Sequence, residues 1–330
     1  MESRRARSGR RARPSRRRPL LYTALATVAV LGATAGGTVY VKAQAHSGEG
    51  AVSSSSAEPS ASASGSADGG VTVESVAAPE VDHDALLAGA MKSVTVPGDA
   101  KVSVAVLDVD SGDSATYGSA AFDTASIVKV DILATLLLQA QDAGRHLTAA
   151  EKSSATTMIE NSDNTSASEL WRIIGKAEGL DAANERFGLT GTDGGDDMLW
   201  GLTQTTAADQ LRLLRQVFGD DSELSEASRT YLQGLMRQIA AGQHWGVSAA
   251  ADGSSWALKN GWLARSTTGL WDINSIGRVT SGGRTYLVAV LSNGSATQAK
   301  GISLVEAAAK AAVSVFADDG ASATTTATDY

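Results

Sequence analysis

Residues 271–292, WDINSIGRVT then SGG then RTYLVAVLS, read as two β-strands joined by a tight turn at Ser281-Gly282-Gly283. A hairpin connection makes its strands antiparallel, so this stretch sets the sheet type. Downstream, Ser303 and Glu306 form a capping box for a last helix running through AAAKAAVSVF. Upstream, 256–262 reads as a further strand, and helical patterns lie near 166–175, 181–187, 206–218 and 225–241. Thr148 and Glu151 make another capping box, and a helix follows Ser126 to about Ala143, with Gly144 as its stop. Earlier still, KVSVAVLDVD alternates as a strand, DSGD turns and SATYG returns. Asp82 or Asp84 caps a first helix through Leu86, Leu87 and Met91.

The order is helix, two strands, a block of helices, three strands, helix. This predicts an α/β domain of the α+β type, whose antiparallel sheet is covered on one face by the N- and C-terminal helices. The helical block forms a second lobe, and a site is expected between lobe and sheet.

The chain has 330 residues, 43% hydrophobic, enough for one large domain or two small ones. Residues 1–18 hold nine arginines and Glu2, and 20–41 carry no charge. At about 1.5 Å per residue the apolar run spans a bilayer core of roughly 30 Å. Residues 1–19 therefore read as a basic cytoplasmic region and 20–41 as a transmembrane anchor or signal segment. Cleavage at Ala43-Gln44-Ala45 would release the protein; without it, 20–41 holds the chain to the membrane. Either way the rest lies outside the cytoplasm. Residues 42–80, rich in Ser, Ala and Gly, read as a flexible linker, 81–317 as the folded domain and 318–330 as a disordered tail.

The net charge is −8, and the first 18 residues carry +8, leaving −16 for the rest. An acidic exported domain is not expected to bind nucleic acid. A monomer is expected. With no cysteine there is no disulfide framework, and four histidines without ligand spacing predict no metal; no cofactor is implied.

Three short motifs carry chemistry: Ser126-Ile127-Val128-Lys129, Ser162-Asp163-Asn164 and Lys259-Asn260-Gly261. Ser126 and Lys129 stand three apart at a helix start, on one face. A serine hydroxyl is a poor nucleophile until a base takes its proton, and a lysine made neutral by burial and a neighbouring cation can be that base. Ser162 can relay a proton to a leaving nitrogen, Asn164 can hold a substrate amide, and Asp163 can brace the loop. Lys259 supplies positive charge for Ser162 and a substrate carboxylate, and Gly261 lets a substrate backbone approach. Arg265 is a further candidate for a carboxylate. Each motif alone also has an ordinary reading: a chance Ser-x-x-Lys, a helix cap, a solvated lysine, a surface arginine.

In this order the motifs resemble those of the penicillin-recognising serine hydrolases, the family of class A β-lactamases and D-alanyl-D-alanine peptidases. The resemblance covers about residues 83–316 and implies a β-lactamase/transpeptidase-like fold with a reduced helical lobe. It implies Ser126 as nucleophile, Lys129, Ser162 and Lys259 as its proton machinery, and the N–H groups of Ser126 and Trp262 as an oxyanion hole. Substrate contacts fall to Asn164, Asn260, Gly261 and Arg265. The substrates implied are β-lactams or D-alanyl peptides derived from peptidoglycan. Two departures stand out. Asn260 replaces the family's Thr. The stretch GLTGTDGGDDMLWGLTQTTAAD, which matches the loop bearing the family's deacylating Glu, contains none. Asp193, Asp196 and Asp197 remain as the loop's carboxylates, so acylation followed by slow deacylation is expected. The alternatives are a non-catalytic envelope module that binds wall fragments, and an esterase on the same scaffold.

Overall fold

The structure is a computed structural model that describes residues 81–316. The expectations for 1–80 and for 318–330 lie outside the described residues. Among the described residues no helix is long and apolar enough to cross a membrane.

The chain opens with α1 (His83–Met91), then β1 (Lys101–Asp108), β2 (Ser114–Tyr117) and a short β3 (Phe122–Asp123). A 3-10 turn, Ala125–Ile127, leads into α2 (Val128–Asp142). There follow α3 (Ala149–Glu160), α4 (Asn164–Ile173), α5 (Lys176–Phe187), a 3-10 turn Trp200–Leu202, β4 (Gln204–Thr205), α6 (Ala207–Phe218) and α7 (Glu226–Met236). The chain then returns through β5 (Trp256–Ala264), β6 (Trp271–Ser281) and β7 (Arg284–Ser295) to α8 (Gln298–Ser314). The five long strands lie in the order β2-β1-β7-β6-β5, all antiparallel, which leaves β5 at an edge.

Successive strand side chains point to opposite faces, and here both faces are covered. Val104 and Val106 of β1 and Val288 and Val290 of β7 join α1 and α8 in one core. Ala105, Leu107, Leu287, Ala289 and Leu291 face the helices of the other. Helix α2 runs through that second core with twelve of its fifteen residues buried. A helix apolar on nearly every side belongs inside, and its position fixes Ser126 and Lys129 at its entrance.

Several boundaries differ from the sequence reading. Asp82, rather than Asp84, caps α1, accepting from the Ala85 N–H at 2.9 Å. Helix α8 starts at Gln298, capped by Thr297, so Ser303 is an exposed residue inside it. Gly301, a weak helix former, hides that start. A Cβ there would lie 2.3 Å from Ile273 Cγ1, so glycine is what lets α8 approach β6. Helix α5 begins at Lys176, after the left-handed Gly175, and α7 stops at Met236. The two-residue ladder of β3 and β4 is too short to show a period in sequence.

Candidate active site

The strand before the serine is set by hydrogen bonds from β6. Asn274, fully buried, donates from Nδ2 to the carbonyls of Asp123 (2.9 Å) and Thr124 (3.0 Å). The Thr124 N–H donates to the Thr203 carbonyl at 2.9 Å, joining the same segment to the loop before α6. Ala125 then takes φ +48°, a left-handed conformation that L-residues avoid, and the chain turns so that Ser126 sits half-buried where helix meets sheet.

Lys129 follows one turn on and is fully buried. Its Nζ lies 3.0 Å from Ser126 Oγ, 2.7 Å from the Ser162 carbonyl, 3.1 Å from Ser162 Oγ and 2.8 Å from Asn164 Oδ1. The carbonyl and the amide oxygen can only accept, so they take two lysine N–H groups. Burial lowers the Lys129 pKa to about 7, against the opposing pull of Asp163. In its neutral form the lysine has a lone pair left for the Ser126 hydroxyl.

Ser162 enters from the α3–α4 turn with φ +57°. Asp163 caps α4, accepting from the Ser166 N–H at 2.7 Å, and these hydrogen bonds hold its carboxyl below the usual range. Asn164 is the first, exposed residue of α4. On the other side Lys259 of β5, also fully buried, donates to Ser162 Oγ (2.9 Å) and to the Asn260 carbonyl (2.8 Å). Burial first, and Lys129 second, push its pKa well below the ordinary lysine value. Ser162 Oγ thus lies between two lysines. The structure brings together Ser126, Lys129, Ser162, Asn164 and Lys259 from three separate motifs.

Three other candidates sit differently. In β5, Ala257 and Lys259 face the helical lobe, whereas Leu258 faces α8. Asn260 shares the α8 side, fully buried, its Nδ2 donating to the carbonyls of Gln243 (2.8 Å) and Trp245 (3.0 Å). It braces a turn, because strand alternation carries its side chain to the face opposite Lys259. Gly261 does serve a close approach, but to the protein's own chain. A Cβ there would meet Thr124 O at 2.8 Å and the Ser126 and Ile127 nitrogens at 2.9 Å. Arg265 is occupied by the protein's own acids. Its guanidinium donates to the Asp123 carboxylate and its Nε lies 3.9 Å from Asp272 Oδ2, so its charge is shared with the protein's own acids. Burial raises Asp272 to about 6 despite this arginine. Trp262 lies on the β5 edge next to Gly261, its ring edge-on to Trp245 at 6.0 Å.

Asp193, Asp196 and Asp197 are all exposed, and Asp197 pairs with Lys176 at 2.6 Å. The loop instead presents Trp200, whose ring centroid is 4.9 Å from Lys129 Nζ. Trp200 and Asn274 were not singled out as site residues from sequence. An Asn amid the apolar residues of WDINSIG, where strand propensity disfavours it, was the available signal for the second.

Residues 138–316 match the model of the beta-lactamase enzyme family, over half of the chain. Ser126 and Lys129 precede the matched segment, so their roles rest on the geometry above. Among solved structures, the acyl-enzyme complex of a PBP-A mutant with penicillin G aligns with TM-score 0.61 and 20% identity, over 71% of this chain and 97% of that one. The TLA-1 extended-spectrum β-lactamase aligns with TM-score 0.61 and 16% identity, over 71% and 98%. A class A β-lactamase from Bacteroides cellulosilyticus aligns with TM-score 0.61 and 16% identity, over 73% and 100%. These likenesses bear on the fold, which is the expected β-lactamase/transpeptidase-like one. A search of curated proteins found no match.

Proposed function

Because this chain belongs to the beta-lactamase enzyme family, a family of serine hydrolases, we propose that it works outside the cytoplasm through an acyl-enzyme on Ser126. The substrates are β-lactams or D-alanyl peptides of the cell wall, and deacylation is slow. The observation that carries this reading is the buried Lys129 amine, 3.0 Å from Ser126 Oγ, with two of its protons committed to obligate acceptors. Neutral Lys129 takes the Ser126 proton as Oγ attacks the acyl carbon. Ser162 Oγ, between the lysines, passes a proton to the leaving nitrogen. Lys259 holds Ser162 in place by donating to its Oγ, and the N–H groups of Ser126 and Trp262 face the oxyanion. Asp193, Asp196 and Asp197 are exposed, and Asp197 is paired with Lys176, which supports a persistent ester.

That same exposure favours a second reading, a module that binds wall fragments without turning them over. Intact mass of the purified protein after adding penicillin G separates the two. An adduct of one penicillin on the wild type, missing from Ser126→Ala, is the expected result, and its persistence for minutes marks slow deacylation. No adduct on the wild type, with wall-peptide affinity retained in Ser126→Ala, sinks the enzyme reading.

A further inference from the structure

The hydrogen-bonding directions of Lys129 are taken by Ser126, Ser162 and Asn164, and what covers the amine otherwise is the face of Trp200. The ring is held from two sides. Its Nε1 donates to Ser168 Oγ at 3.1 Å, and Ser168 lies one turn along α4 from Asn164. Its backbone belongs to a 3-10 turn closed by Leu202 N–H to the Leu199 carbonyl (2.8 Å) and Thr203 N–H to the Trp200 carbonyl (3.2 Å). The next residue, Gly201, packs against Ala125: a Cβ there would lie 3.9 Å from Ala125 Cα. The tryptophan is therefore fixed to both segments that bear the site, while Asp193, Asp196 and Asp197 of its loop face solvent.

We propose that Trp200 is a positioning residue that sets the lifetime of the acyl-enzyme by excluding water from the Lys129 flank of Ser126. This rests on the acyl-enzyme reading above. Hydrolysis of the Ser126 ester adds a water oxygen to the acyl carbon and breaks the bond from that carbon to Oγ. One water proton passes through neutral Lys129 back to Ser126 Oγ, and the acid leaves. Lys129 is the base for that water through the lone pair it turns towards Ser126, and the indole, with its centroid 4.9 Å from Nζ, limits the room for water beside that lone pair. An excluded-water site slows hydrolysis without slowing an acylation that needs no water. Trp200 thus separates the two half-reactions.

The test is intact-mass decay of the penicillin G adduct in the wild type, Trp200→Ala and Trp200→Phe, with a thermal melt of each. Acylation is expected in all three. The adduct should decay on the order of tenfold faster in Trp200→Ala, because water now reaches the lysine, while Trp200→Phe, which keeps a ring, stays close to wild type. Should Trp200→Ala melt below the assay temperature, Trp200→Leu carries the same expectation. Equal lifetimes in the wild type and the Ala or Leu variant overturn the proposal, as does a Phe variant that decays as fast as Ala. Absence of any adduct on the wild type overturns the acyl-enzyme reading itself, so the two failures are distinct.

Discussion

At the scale of single residues the chemistry rests on one proton. Lys129 has its pKa lowered to about 7 by burial, so at neutral pH a large part of it is neutral. The neutral amine is the base, and acylation should follow its deprotonation. The sign is therefore positive: the rate constant for adduct formation with penicillin G rises about tenfold per pH unit below 7 and levels off above it. A guanidinium stays charged throughout, so Lys129→Arg should form no adduct at any of these pH values. Stopped-time mass measurements from pH 5.5 to 8.5, as a range of about three units around that pKa, check both. A flat profile would remove Lys129 from the base role. Much of this was legible in sequence, because serine, lysine and their spacing carry the chemistry directly. What Asn260 and Gly261 do was not. Their roles depend on which face of β5 each occupies and on which backbone lies opposite, and both facts belong to the tertiary structure.

At the scale of the element, α2 carries the site at its first turn and a buried acid just behind it. Asp131 is 1% exposed, with one hydrogen bond from Asn184 Nδ2 at 3.1 Å, and its Oδ1 has no partner among the described residues. Burial pushes its carboxyl up to about 7, and the charges of Asp181 and Asp209 act in the same direction. A folded-state value above the unfolded 3.8 means the folded protein binds the extra proton between the two. The stability this group contributes is fully present below 3.8 and is lost as pH rises through about 7. Asp131→Asn keeps the contact with Asn184 and cannot ionise. It should be more stable than the wild type at about pH 8, with the gap narrowing steadily as pH falls towards about 4 in urea titrations. A gap that does not change with pH would mean that Asp131 is not buried as a neutral acid. The helix itself was readable from its apolar run and Gly144, since its burial on nearly all sides is a property of composition. The start of α8 was not, because Gly301 imitates a break while answering to Ile273 across the interface.

For the whole molecule, the catalytic geometry depends on how the sheet holds the segment before Ser126. Hydrogen bonds from Asn274 in β6 fix the Asp123 and Thr124 carbonyls, and Arg265 at the end of β5 holds the Asp123 carboxylate, to which Gln204 of β4 also donates. Asn274 Oδ1 in turn accepts from the Ser292 N–H of β7 at 3.0 Å. One amide thus links two central strands to the nucleophile's turn, and the left-handed Ala125 persists because these bonds over-determine it. None of this could be read from the chain, since Asn274 is about 150 positions from its partners and no local pattern announces such a pairing. Asn274→Ala removes the side-chain partner of three buried backbone groups, of which the Thr124 carbonyl keeps the Ile127 N–H at 3.3 Å. At roughly 1–3 kcal/mol for each group that stays unsatisfied, the domain should be clearly destabilised yet still unfold in one cooperative step. If the amide positions the site, the fully folded variant, well below its melting temperature, should also acylate more slowly with penicillin G, because Ser126 loses its fixed distance to Lys129. A melt lowered as expected with an unchanged acylation rate would assign Asn274 to stability alone and leave Arg265 and the 3-10 turn as the supports of the nucleophile.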